Sequence, residues 1–240
     1  MNVVQLPVIE LEPEVGSIVL ALADDEFVIG HRHSEWLGLS PFLEEDLAMA
    51  SIAQDELGHA RALYGVLWPS WTARDAMLPL RVAADWRSCA FVEFAAQPWE
   101  RHLVRHVLYD VIERHRWQAL LTADHGPLRS LADRALVEER WHERHALDLL
   151  QRLGATNAAR LQPQVDDLLP MVSALMDGLS ARSADDAVAN LKQILSDAGL
   201  TSSQIDTHPA LASRGTRSAG FADVHTSITE VASIDPAASW

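Results

Sequence analysis

The chain has 240 residues, 48% of them apolar and 22% charged, which suits a soluble globular protein with one sizeable core. A net charge of −15, with Lys192 the only lysine among nineteen basic residues, leaves no broad positive field and argues against nucleic-acid and anionic-membrane partners. An acidic N-terminus, no apolar run of membrane-spanning length and a lone Cys89 place the chain in the cytoplasm, without disulfides.

Residues 13 to 37 read as a first helix, with Val15, Ile18, Val19, Leu22, Phe27, Ile29 and Trp36 on a broad apolar face and Gly38 at its stop. Glu35 falls near its end, beside His31 and His33. The second helix is expected to open at Ser40-Pro41, a cap followed by proline, and to run to about Leu67, with Glu44, Glu45 and Asp46 at the positive end of its dipole. Residues 68 to 86 read as a long connection. Residues 88 to 122 are helical in period, although Pro98 must kink or split them. Gly126-Pro127 reads as a turn before a fourth helix ending at Leu153-Gly154.

Two shorter helices, 162 to 180 and 185 to 199, are expected to cover an end of the bundle. The domain assignment is therefore residues 1–200 as a helical domain and 201–240 as an irregular tail, a docking arm. Two hairpins joined by a crossover make an all-α, ferritin-like four-helix bundle with additional C-terminal helices.

Chemistry enters at two Glu-x-x-His steps, Glu56/His59 and Glu139/His142, each inside a helical pattern and each preceded by a single acid, Glu35 or Asp110. Residues three apart share a helix face, so a Glu and its His can address one metal. Glu35, Glu56, Asp110 and Glu139 carry four negative charges, which two divalent ions neutralise, so the filled site tolerates burial. Glu138 competes with Glu139, being four residues before His142. Glu113 shares a face with Asp110, and either reaches inward. Asp55, Glu113 and Glu138 are candidates for acids that hold a ligating histidine from outside. Tyr64, Tyr109, Trp117 and Trp141 read as packing residues. Arg101, His102, Arg105, His106, Arg114, His115 and Arg116 recur along the third helix and read first as a solvated face. Arg101 and Arg105 are also candidates for binding a phosphate-bearing ligand or a partner.

The segments His31–Glu35, Gln54–His59 with Tyr64, Asp110, Gly126-Pro127 and Glu138–His142 resemble the catalytic A subunit of bacterial phenylacetyl-CoA epoxidase. Arg214-Gly-Thr-Arg-Ser-Ala-Gly, His225-Thr226, Glu35-Trp36 and Arg152-Leu-Gly154 are similar to its non-catalytic C subunit, whose length is also closer. The resemblance favours Asp110 over Glu113 and Glu139 over Glu138. It implies a di-iron centre that activates O2 and oxygenates the ring of an aryl-acyl-CoA such as phenylacetyl-CoA. Electrons would come from a separate reductase, and a ferritin-like partner subunit or a homo-oligomer would complete the assembly. The same oxygen and nitrogen donors accept manganese. A scaffold subunit with retained ligands and a ferritin-like iron-storage protein are the alternatives.

Overall fold

The computed structural model describes residues 6–71, 78–202, 205 and 214–234. Among these the fold is all-α, with the helix order of a ferritin-like protein and no strand. Seven helices are α1 (Pro13–Ser34), α2 (Leu43–Leu67), α3 (Ala90–Glu93), α4 (Trp99–Leu120), α5 (Gly126–Leu168), α6 (Ala181–Asp197) and α7 (Phe221–Ile234), with 3-10 turns at Leu78–Leu80, Ala83–Asp85 and Leu169–Leu175. No helix among the described residues is long and apolar enough to cross a membrane. The chain divides into two compact units, residues 1–95 with 212–240, and residues 96–211.

In the first unit α1 and α2 form an antiparallel hairpin. Asp24 faces Tyr64 while Gly30 faces Ala53 and Glu56. Helix α1 ends at Ser34, three residues before the expected stop, and Gly38 reverses the chain at φ +77°. The expected Ser40 cap is not formed. Ser40 Oγ donates back to the Trp36 carbonyl, and Asp46 Oδ1 instead accepts from the backbone N–H groups of Gly38 and Ser40, 3.1 Å each. Helix α2 therefore begins at Leu43, with Glu44, Glu45 and Asp46 in its first turn.

Gly30 lets the two helices touch, because a Cβ there would lie 2.9 Å from the Glu56 Cβ and 3.2 Å from the Ala53 carbonyl oxygen. Gly30→Ala is expected to wedge α1 from α2 at the level of Glu56 and to destabilise the protein by about 1–3 kcal/mol, the usual range for overpacking. Urea unfolding checks it. A loss well under 1 kcal/mol would show that the contact yields freely.

Pro98 does split the third helical pattern, leaving the short α3 and then α4. In the second unit α4 and α5 form an antiparallel hairpin, tied at one end by Arg101 to Asp167 and Arg160 to Glu100, and farther along by Arg114 to Glu143. Gly126-Pro127 is the first turn of α5 rather than a turn before it, capped by His125 Nδ1 accepting from Leu128 N–H at 3.3 Å. Helix α5 also continues past Gly154 to Leu168, with a break at Asn157 (φ −127°, ψ 21°). Gly154 is a contact point and not a stop: the Ala198 carbonyl after α6 sits where a Cβ would be. The first covering segment, expected from 162, is thus the end of α5 and a 3-10 turn. Within the expected irregular tail, residues 221–234 form α7, part of the first unit. Residues 203–204, 206–213 and 235–240 of that tail, and 72–77 of the long connection, lie outside the described residues.

Candidate metal centre

Each hairpin carries a stripe of buried side chains at spacings of three and four, the period that keeps one helix face inward. On α1 it runs Val19, Leu22, Glu26, Ile29, His33, and on α2 Met49, Ile52, Glu56, His59, Leu63. Two carboxylates, Glu26 and Glu56, and two imidazoles, His33 and His59, thus occupy core slots. His59 Nδ1 lies 3.4 Å from Glu26 Oε2 and 3.9 Å from Glu56 Oε2, and donor atoms of the three lie within 4.8 Å of one another.

The second hairpin also carries buried acids and histidines on its inward stripes. On α4 the stripe is His106, Asp110, Glu113, Trp117, Leu120, and on α5 Ala135, Glu139, His142, Ala146, Leu150, all buried. Donor oxygens of Glu113 and Glu139 lie within 4.8 Å of each other, and His142 Nδ1 is 3.6 Å from Glu139 Oε2. Trp117 Nε1 donates to Glu113 Oε1 at 3.1 Å, which fixes that carboxylate. Asp110 faces His106 Nδ1 at 3.1 Å, one turn away on its own helix. Burial raises the Glu143 carboxyl above its ordinary range; Arg114 opposes this, while Asp110 and Glu139 add to it.

Hard carboxylate oxygens and imidazole nitrogens are the donors that ferrous, ferric and manganous ions take. A buried acid and histidine cluster of this kind is able to bind metal.

Glu56, His59, Glu139 and His142 stand where the Glu-x-x-His spacing puts them, buried on inward faces. Glu35 does not join His59. It lies nine residues beyond Glu26, half a rotation around the helix, and caps the end of α1 with its carboxylate 2.7 Å from Arg32 and 34% of its side chain exposed. Its neighbours His31 and His33 are held elsewhere, His31 Nε2 2.9 Å from Ser227 Oγ and His33 fully buried. In α4 the structure sets Glu113 against Glu139 and Asp110 against His106. Asp55 is half-buried and Glu138 exposed. Tyr64, Tyr109 and Trp117 are core residues, whereas Trp141 is 66% exposed.

The basic residues of α4 do not form a solvated face. His102, Arg105, His106 and Arg116 are buried because α4 is packed around nearly its whole circumference. Arg105, 1% exposed, does not present its guanidinium to a ligand from solvent, and Arg101 is engaged by Asp167. Burial, with Arg105 and His106 adding to it, holds His102 well below 6.5. Between that lowered value and 6.5 the unfolded chain binds the extra proton, so stability falls as pH falls through this window. His102→Phe is expected to lose less stability than the parent between pH 7 and pH 5.5, measured by urea midpoints. An equal loss in both would contradict it.

The sequence reading missed Glu26. Its signal was the three-four stripe, in which Glu26 interrupts an otherwise apolar run from Val19 to Ile29.

Comparison with known proteins identifies the family. A family model described as phenylacetic acid catabolic protein matches residues 10–210, most of the chain. The chain belongs to this family. A relative from Escherichia coli (strain K12), the C subunit of 1,2-phenylacetyl-CoA epoxidase, is 25% identical over 169 residues, covering 68% of each chain. Membership of this family makes the chain a phenylacetic acid catabolic protein, similar in sequence to one subunit of that epoxidase.

Proposed function

We propose that the chain is a di-iron, O2-activating subunit of a phenylacetyl-CoA epoxidase-like monooxygenase. The observation that carries this reading is the repetition of one triad, two buried carboxylates and a buried imidazole, once in each hairpin. Glu26, Glu56 and His59 are the donors from the first hairpin, and Glu113, Glu139 and His142 those from the second. Two carboxylates balance one divalent ion, so each triad with its ion is neutral and suited to a dry core. Bound iron supplies the redox chemistry that reductive activation of O2 requires, with electrons from a separate reductase.

The residues themselves have distinct tasks. The four glutamates would hold the ions and neutralise their charge. His59 and His142 fix donor nitrogens on rigid helices, Trp117 holds Glu113, and His106 holds Asp110 beside the second triad. The substrate class we assign is an aryl-acyl-CoA such as phenylacetyl-CoA, the compound in the relative's name.

The test combines the purified chain with a matching reductase and ferritin-like partner, and follows phenylacetyl-CoA-dependent O2 consumption and oxygenated product. Glu139→Ala is expected to reduce product to the no-enzyme level while α4 and α5 remain assembled by circular dichroism. The relative's place as the C subunit of its complex favours a second reading, a scaffold that keeps these residues without using them. Normal turnover by the Glu139→Ala chain with a separate catalytic partner would establish the scaffold and defeat the catalytic proposal.

A further inference from the structure

Three consecutive acids on α1, Asp24, Asp25 and Glu26, are all fully buried. Successive helix residues point about 100° apart, so each needs its own partner. Asp24 receives Arg81 Nη2 at 2.7 Å, Tyr64 Oη at 2.5 Å and the Arg87 N–H at 2.6 Å. Asp25 receives the Cys89 N–H at 2.8 Å and a two-armed contact from Arg214, Nη1 to Oδ1 at 3.0 Å and Nη2 to Oδ2 at 2.9 Å. Two guanidinium groups therefore hold two of the three acids, and the third, Glu26, faces His59.

Arg214 comes from the far end of the sequence and is itself 4% exposed. Its segment is also anchored outside α1. Arg217 Nη1 donates to buried Glu93 at 2.8 Å and to Ser88 Oγ at 3.0 Å, and the Ser218 N–H donates to the other Glu93 oxygen at 2.8 Å. Farther on, His225 Nε2 donates to the Arg81 carbonyl at 2.9 Å, and its ring stacks on Phe221. The Arg-Gly-Thr-Arg-Ser motif and the histidine that follows it are thus the parts of a clasp, closed on buried carboxylates of α1 and α3 and on the Arg81 carbonyl.

We propose that Arg214 is a positioning residue for the metal site, setting the rotation of α1 and the charge around Glu26 through its fork on Asp25. The inference rests on the reading of Glu26, Glu56 and His59 as metal donors. Without the guanidinium, Asp25 loses its two-armed partner one residue before Glu26. α1 then loses the two-armed contact that fixes its rotation and aims Glu26 at His59. The C-terminal segment in this way couples its own docking to metal loading.

The experiment is an anaerobic ferrous-iron titration of the full-length protein, with thermal unfolding of the iron-free protein run in parallel. Arg214→Ala is expected to weaken iron binding about 10–100-fold, the cost usually seen when a residue orienting a ligand is removed. Arg214→Lys, which keeps the charge and loses the fork, should fall between the alanine variant and wild type. Arg214→Ala combined with Asp25→Asn removes the stranded charge and should recover part of the affinity. Wild-type affinity in both single variants, with only the unfolding temperature lowered, would make Arg214 a purely structural clasp and overturn the proposal. If the alanine variant does not fold, the lysine variant decides: weakened binding supports the proposal and unchanged binding overturns it. Should wild type bind no more iron than Glu26→Ala, the reading of the site has failed and the positioning role falls with it.

Discussion

Arg81→Ala is expected to lower the unfolding free energy by about 3–5 kcal/mol, the range for stripping one partner from a buried ion pair. Arg81 is 1% exposed; its guanidinium binds Asp24 and Tyr64 and lies 4.0 Å over the Trp86 ring. Removing it strands the Asp24 carboxylate in the core and leaves a cavity against two aromatic rings. For a chain of this length that corresponds to a fall in melting temperature on the order of 10 °C. Differential scanning calorimetry of the iron-free protein measures it. A fall of only one or two degrees would mean that water or the backbone replaces the guanidinium, and that the buried acids of α1 do not depend on their arginines.

The second large effect separates two glutamates on one helix. Glu26→Ala is expected to abolish tight iron binding by the first triad, whereas Glu35→Ala leaves iron binding unchanged. The reason is rotational: Glu26 lies in the buried stripe, 3.4 Å from His59, and Glu35 lies half a rotation away with Arg32. Because Glu35 is partly exposed, its removal should also cost little stability, as for most surface ion pairs. Iron loss in Glu35→Ala with retention in Glu26→Ala would reverse the assignment.

This pair also shows what the sequence makes legible. The helices were readable because apolar residues recur at three and four, and the Glu-x-x-His steps were readable because Glu56/His59 and Glu139/His142 sit on that period. The single acids were harder. Glu35 stands in a polar run beside two histidines, which draws attention, while Glu26 is hidden among Asp24 and Asp25, a triplet that looks like a solvated face. Only the partners distinguish them, and those partners, Arg81 and Arg214, lie 57 and 189 residues away. In α4 periodicity leaves Asp110 and Glu113 equivalent, and the resemblance to the catalytic A subunit favours Asp110; the structure sets Glu113 against Glu139 through packing that neither signal encodes. The buried histidines and arginines of α4 were misread for a related reason: charge suggests a surface unless the whole helix is known to be enclosed.

The central claim is that each hairpin supplies the donors for one iron ion. Protein reconstituted anaerobically with excess ferrous iron, desalted and analysed for metal, should carry two irons per chain. The Glu56→Ala/His59→Ala double variant should carry at least one fewer. Wild-type protein with no more iron than the double variant would contradict the account.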